Sequence, residues 1–228
     1  MQSVIRIGLC ELILCAALPQ TPPDVAEILK KVSHTYRAGL DYELAGDLTV
    51  AKTATPGGSG RVFIAFKSPN RYRIEGAFRG LGLSDYPVII HDGSKVWIYL
   101  PDSNQYASFP ASELTGNAPG DLGDLRPAAM DHLIMWRYRD AKDFTNGSRF
   151  LREETIEFEG AKVDCYVVAV PQKGPVFTWW VDKVRSRVLR EDNMELSTVF
   201  RTIKLGEPLP DKLFKFEPPA GSRRLPVP

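Results

Sequence analysis

One short stretch is apolar on both faces, and that narrows what the chain can fold into. Between His91 and Tyr106 an Asp92-Gly93 turn joins the apolar run from Pro87 to Ile90 to an alternating run from Val96 to Leu100, and Pro101-Asp102-Ser103-Asn104 turns the chain again. The pattern predicts a three-strand meander. Side chains alternate along a strand, so Trp97 and Tyr99 share one face while Val96, Ile98 and Leu100 share the other. Since neither face is polar, another layer must cover each of them.

The rest of the chain supplies both strands and cover. Asp24 caps a helix in which Val25, Ile28, Leu29 and Val32 fall at i, i+3, i+4 and i+7, so this helix must dock by one face. From Tyr42 to Val50 the period changes to two, with Tyr42, Leu44, Leu48 and Val50 opposite Glu43, Asp47 and Thr49. A Pro-Gly-rich tip from Thr55 to Gly60 leads into Val62, Ile64 and Phe66; then Lys67-Ser68-Pro69-Asn70 turns into Tyr72, Ile74 and Phe78, with Arg71, Arg73 and Glu75 facing out. Pro110 to Pro127 reads as a long loop, followed over residues 127–139 by a second apolar helix carrying Ala129, Met130, Leu133, Ile134 and Trp136. Strands are predicted at about 149–159, 162–170, 175–182, 187–192 and 196–205, with turns at Glu159-Gly160, Gly174-Pro175 and Arg185-Ser186. Leu213 to Gly221 reads as a last short strand ended by Pro218-Pro219, and Ser222 to Pro228 as a loose tail.

This even spacing indicates an antiparallel meander, mainly β with some α, in one domain over residues 18–228. Residues 1–17 hold Arg6, an apolar run from Ile7 to Leu14 and Cys15-Ala16-Ala17, the layout of a signal peptide cleaved after Ala17. Cys10 and Cys15 would leave with it, and Cys165 would remain without a disulfide partner. With 29 basic and 28 acidic residues the net charge is +1, which gives no broad field for nucleic acid or an anionic membrane.

Catalytic patterns are weak. His34, His91 and His132 have no serine or cysteine beside them in a recognisable motif, and no HExxH or CxxC spacing occurs. Cys165, in the apolar strand Val163 to Val167, reads as a buried inert thiol. The neighbours Glu153-Glu154 and Glu191-Asp192 would point to opposite faces of their strands, so neither pair forms a dyad. The residues therefore point away from an enzyme and toward no cofactor or metal. What stands out is apolar excess on one sheet, which fits either a plain core or the wall of a cavity.

Three segments together resemble the periplasmic outer-membrane lipoprotein carriers, the LolA-like family: Phe66-Lys67-Ser68-Pro69-Asn70 with Tyr72 and Ile74; Asp92-Gly93 with Trp97-Ile98-Tyr99 and Pro101; and Phe214-Lys215-Phe216-Glu217-Pro218-Pro219-Ala220-Gly221. The resemblance implies an unclosed, strongly curved antiparallel β-barrel whose concave face is covered by helices, enclosing an apolar cavity for lipid acyl chains. It implies a monomeric periplasmic carrier that moves lipoproteins or lipids toward the outer membrane between membrane-bound donor and acceptor proteins. The expected acyl-cavity residues are Leu44, Leu48, Val62, Ile64, Phe66, Tyr72, Ile74 and Ile89, with Met130, Leu133 and Ile134 from the covering helix. Ser68 stands where the carriers have an arginine ahead of the Pro-Asn turn, so the family's lid contact does not carry over. A periplasmic sensor or interaction module that recognises a protein partner is the alternative on the same fold.

Overall fold

A computed structural model describes residues 21–39, 41–50, 58–79, 87–114, 137–172, 176–193 and 196–226. The proposed signal segment 1–17 and residues 127–136 of the expected second helix, with Met130, Leu133 and Ile134, lie outside the described residues.

Helix α1 (Val25–Ala38) begins where expected, the Asp24 carboxylate accepting from the Ala26 N–H at 2.9 Å. Its Ile28, Leu29, Val32 and Tyr36 are buried on one stripe. The strands are β1 (Asp41–Val50), β2 (Ser59–Lys67), β3 (Arg71–Arg79), β4 (Val88–His91), β5 (Lys95–Leu100), β6 (Gln105–Pro110), β7 (Arg149–Phe158), β8 (Ala161–Pro171), β9 (Val176–Asp182), β10 (Val188–Asp192), β11 (Leu196–Leu205) and β12 (Arg223–Arg224). Among the described residues they form one curled, unclosed sheet in the order β12-β6-β5-β4-β3-β2-β1-β11-β10-β9-β8-β7. Every pairing is antiparallel except that of β12 with β6. The non-sequential pairing of β1 with β11 joins the two runs of hairpins into one wall.

At that seam the register slips between Ala45 and Gly46, where the strands come too close for a side chain: a Cβ on Gly46 would lie 2.7 Å from the Val199 carbonyl oxygen. The meander predicted from the sequence is β4-β5-β6. Gly93 takes φ +106° in its first turn, a conformation that favours glycine.

Three expectations need correction. Residues 213–221 are not a strand. Asp211–Phe214 form a 3-10 turn, and the chain then runs extended across the convex face. Phe214 and Phe216 do alternate as in a strand, but they bury side chains instead of joining a ladder, and Pro218 and Pro219 have no N–H to donate. The tail is not wholly loose either: Arg223 donates from its N–H to the Asn104 carbonyl at 3.0 Å and Leu225 to that of Tyr106 at 2.7 Å, forming β12. Finally, Arg137–Asp140 form a turn, not the end of a helix.

Both faces of the meander are covered. On the convex side Phe216 stacks on Trp97 with ring centroids 5.2 Å apart, and also meets Tyr99 and Tyr106. The outward cations of β2 and β3 hold this C-terminal segment. Lys67 donates to the Leu209 carbonyl and to Asp211, both at 2.6 Å; Arg71 donates to Asp211 at 3.0 Å; Arg73 donates to the Leu213 carbonyl at 3.1 Å. Lys67, beside the Ser68 position, is thus committed to the convex side.

Candidate ligand-binding face

Cross-strand partners in a sheet point to the same side, so the register shows which residues share the concave wall. One row reads Tyr42, Phe66, Tyr72, His91, Val96, Phe109 across β1 to β6. The next reads Ile203, Leu44, Ile64, Ile74, Ile89, Ile98, Ala107 from β11 to β6. All thirteen are buried. Beyond them Val62 lies between Gly46 and Gly76, and Leu48 lies opposite Gly60. The eight described cavity residues predicted from the sequence therefore share one face. The rows run further than predicted, into Val96, Ile98, Ala107 and Phe109, and the alternation around Trp97 already carried that signal.

Each fully buried isoleucine of the second row contributes about 1.5–3 kcal/mol of transfer free energy. The wall is almost without polar atoms. His91 Nδ1 accepts from the Gly93 N–H at 3.0 Å, which places the ring proton on Nε2, and its ring lies 5.1 Å from that of Tyr72. The Tyr72 hydroxyl is shut off from solvent and has no hydrogen-bond partner among the described residues, a cost of about 1–3 kcal/mol. Burial alone raises its ionisation above the ordinary tyrosine range, so it stays a donor at neutral pH.

Helix α1 rests on the other part of the wall. The Tyr36 ring is 6.0 Å from that of Tyr42, and its hydroxyl accepts from the Val188 N–H at 3.3 Å. The turn Arg137–Asp140 crosses the concave side. Arg137 pairs with Glu191, Tyr138 packs edge-on to Trp179, the Arg139 guanidinium lies 4.8 Å over the Phe66 ring, and Asp140 pairs with Arg37. The sequence reading passed over this turn, although the run Arg137, Tyr138, Arg139, Asp140 breaks the apolar stripe that precedes it.

Clefts border the convex face, and of the eight described cavity residues Val62 alone lines either of the following two. One of about 770 Å³ runs beneath the C-terminal segment, between Phe63, Val88 and Tyr99 and Leu213 and Phe216. The other, about 650 Å³, adjoins it at Phe63, Glu75 and Val88 and reaches Val62.

The described titratable groups offer little reaction chemistry. Cys165 is buried, and desolvation pushes its thiol up to about 12, far from a reactive thiolate. Glu191 faces inward and Asp192 outward; Glu153 reaches Lys183, and Glu154 reaches Arg152 on the opposite face. Among the described residues no three His, Cys, Asp or Glu side chains gather as a metal site, and no helix is long and apolar enough to cross a membrane.

A solved structure shares this architecture. An uncharacterized conserved protein from Thermus thermophilus superposes with a TM-score of 0.52 at 14% identity, over 87% of this chain and 98% of its own. At that identity the likeness shows the fold alone. An open, curled antiparallel sheet with a helix on its concave side is also the architecture that the sequence resemblance implied. More distant likenesses include a LolA superfamily protein from Nitrosomonas europaea (TM-score 0.37, 14% identity, 85% of this chain and 98% of that one). Another is MucB of Pseudomonas aeruginosa in its complex with MucA (TM-score 0.45, 14% identity, 84% and 60%). No family model and no curated protein matches the sequence.

Proposed function

We propose that the chain is a binding protein rather than an enzyme, one that holds the acyl chains of lipoproteins or lipids against the concave wall and carries them through the periplasm toward the outer membrane. The observation that supports this reading is the pair of unbroken rows across β1 to β6, whose surface is aliphatic and aromatic but for the hydroxyls of Tyr42 and Tyr72 and the ring of His91. Burying hydrocarbon yields about 0.8 kcal/mol per methylene, so a single long chain supplies ample binding free energy. Release then sets the design. A carrier therefore needs a ligand-free state of similar stability, so that a receptor has only a modest difference to tip.

The test is to extract the purified mature protein and analyse the extract for lipid, then to titrate an apolar fluorescent probe and displace it with lipids. Co-purifying acyl lipid and displacement are expected, with both lost in Ile64→Glu, which sets a charge on the wall. A wild-type protein that carries no lipid and binds no probe ends the proposal. If it instead retains one protein partner in stoichiometric amount, the interaction-module reading takes its place.

A further inference from the structure

The carrier reading leaves the Tyr72 hydroxyl unused. It belongs to the apolar row between Phe66 and His91, the residue is 4% exposed, and the oxygen meets neither solvent nor any hydrogen-bond partner. Its neighbours offer it no side-chain acceptor. Phe66, Ile64, Ile74 and Ile89 have none, and the nearest ring nitrogen lone pair, His91 Nδ1, is engaged by Gly93. A phenylalanine would fill the same space and leave no orphan donor.

We infer that Tyr72 is the polar anchor of the acyl site, its O–H donating to the carbonyl oxygen of an acyl linkage, ester or amide, that lies against the concave wall. This rests on the acyl-binding reading and narrows it from hydrocarbon in general to acyl groups that bring their carbonyl with them. A neutral carbonyl matches an unpartnered neutral donor set among mostly apolar side chains. A carboxylate or phosphate in the same place would need a cation as well. Arg139 over the Phe66 ring is a cation on this row, so a free fatty acid has to be tested beside the linked forms. The hydroxyl is shut off from solvent, so a ligand that reaches it has to displace what covers it. That couples recognition of the carbonyl to opening of the wall.

Tyr72→Phe deletes one oxygen and keeps the ring. Affinities of wild type and variant for methyl palmitate, N-methylpalmitamide, palmitate and heptadecane are compared by displacement of an apolar probe, together with thermal midpoints without ligand. Binding of the ester, the amide or both is expected to weaken about 3- to 10-fold, the arm affected naming the linkage. Heptadecane is expected to bind unchanged, and the midpoint to stay level or rise. Equal effects on heptadecane and the carbonyl ligands, or an effect on palmitate alone, would overturn the inference. So would a lower midpoint, because it would show that the hydroxyl has a partner inside the protein. A wild type that binds none of the four ends the carrier reading along with it. One that binds all four, with no change in the variant, ends only this inference.

Discussion

The concave wall is built in two ways. On the β9 to β11 side, polar atoms are buried in company: Glu191 accepts from the Trp179 indole N–H at 2.8 Å and from the Tyr138 hydroxyl at 3.1 Å and pairs with Arg137, whose guanidinium also lies 4.2 Å from the Phe177 ring centroid. On the β2 to β6 side the wall is two rows of aliphatic and aromatic side chains, and its Tyr72 hydroxyl is left without a partner. The first arrangement is that of a structural core, where one buried carboxylate shared by Trp179, Tyr138 and Arg137 ties a turn to the sheet. The second gives up some stability at Tyr72 and keeps a smooth apolar surface, which suits a wall that must at times face something other than its own side chains.

Breaking the polar cluster is expected to have the largest effect. Glu191→Ala leaves Arg137 buried without its carboxylate and is expected to cost about 3–5 kcal/mol in urea unfolding. A loss below about 1 kcal/mol would mean that the two sides are not built differently. Next comes Ile74→Ala, at about 2–5 kcal/mol for the deleted volume. Here the sharper reading is in binding: Ile74→Ala should alter acyl-ligand affinity, whereas Val181→Ala, equally buried on the β9 side, should lower stability and leave affinity alone. Identical behaviour of the two variants would erase the distinction.

Much of the β2 to β6 wall was legible because Ile64, Phe66, Tyr72 and Ile74 sit in strict alternation between turns that announce themselves by Ser68-Pro69-Asn70 and Asp92-Gly93. The other side was harder. In β10 both Val188 and Leu189 are buried because the register shifts there, so alternation alone could say that Glu191 and Asp192 part company but not which of them points inward. Nor does any local pattern bring Arg137 to Glu191, a contact made by the fold and not by spacing. The C-terminal segment misled for a related reason. Phe214 and Phe216 alternate whether their partner is a neighbouring strand or the flat convex face of a sheet, and only tertiary context separates the two. The Tyr72 hydroxyl was invisible in the same way, since an orphan donor is defined by what surrounds it.

A second carboxylate sharpens the contrast from outside, with the smallest effect of those considered. Like Glu191, Asp92 accepts a tryptophan indole N–H, from Trp97 at 3.0 Å, but it sits in the β4–β5 turn and makes no ion pair among the described residues. It also accepts the backbone N–H groups of Ser94 and Lys95, both at 2.8 Å, and the Ser94 hydroxyl at 2.9 Å. Partial burial works to raise its pKa, yet these donors together outweigh burial and hold the carboxyl down at about 2, against 3.8 for an ordinary aspartate. A lowered folded value means that the group stabilises the fold fully above about pH 4 and that this contribution fades as the pH falls toward 2. Asp92→Asn keeps an acceptor for the turn but loses the charge and sets an amide where Trp97 needs an oxygen. Its expected cost at pH 7 is about 1 kcal/mol, small because the turn stays hydrated. Unfolding of wild type and variant measured from pH 6 to 2 should show the gap closing below pH 4. A gap that persists unchanged at pH 2 would mean that the turn is held by its geometry and not by the charge.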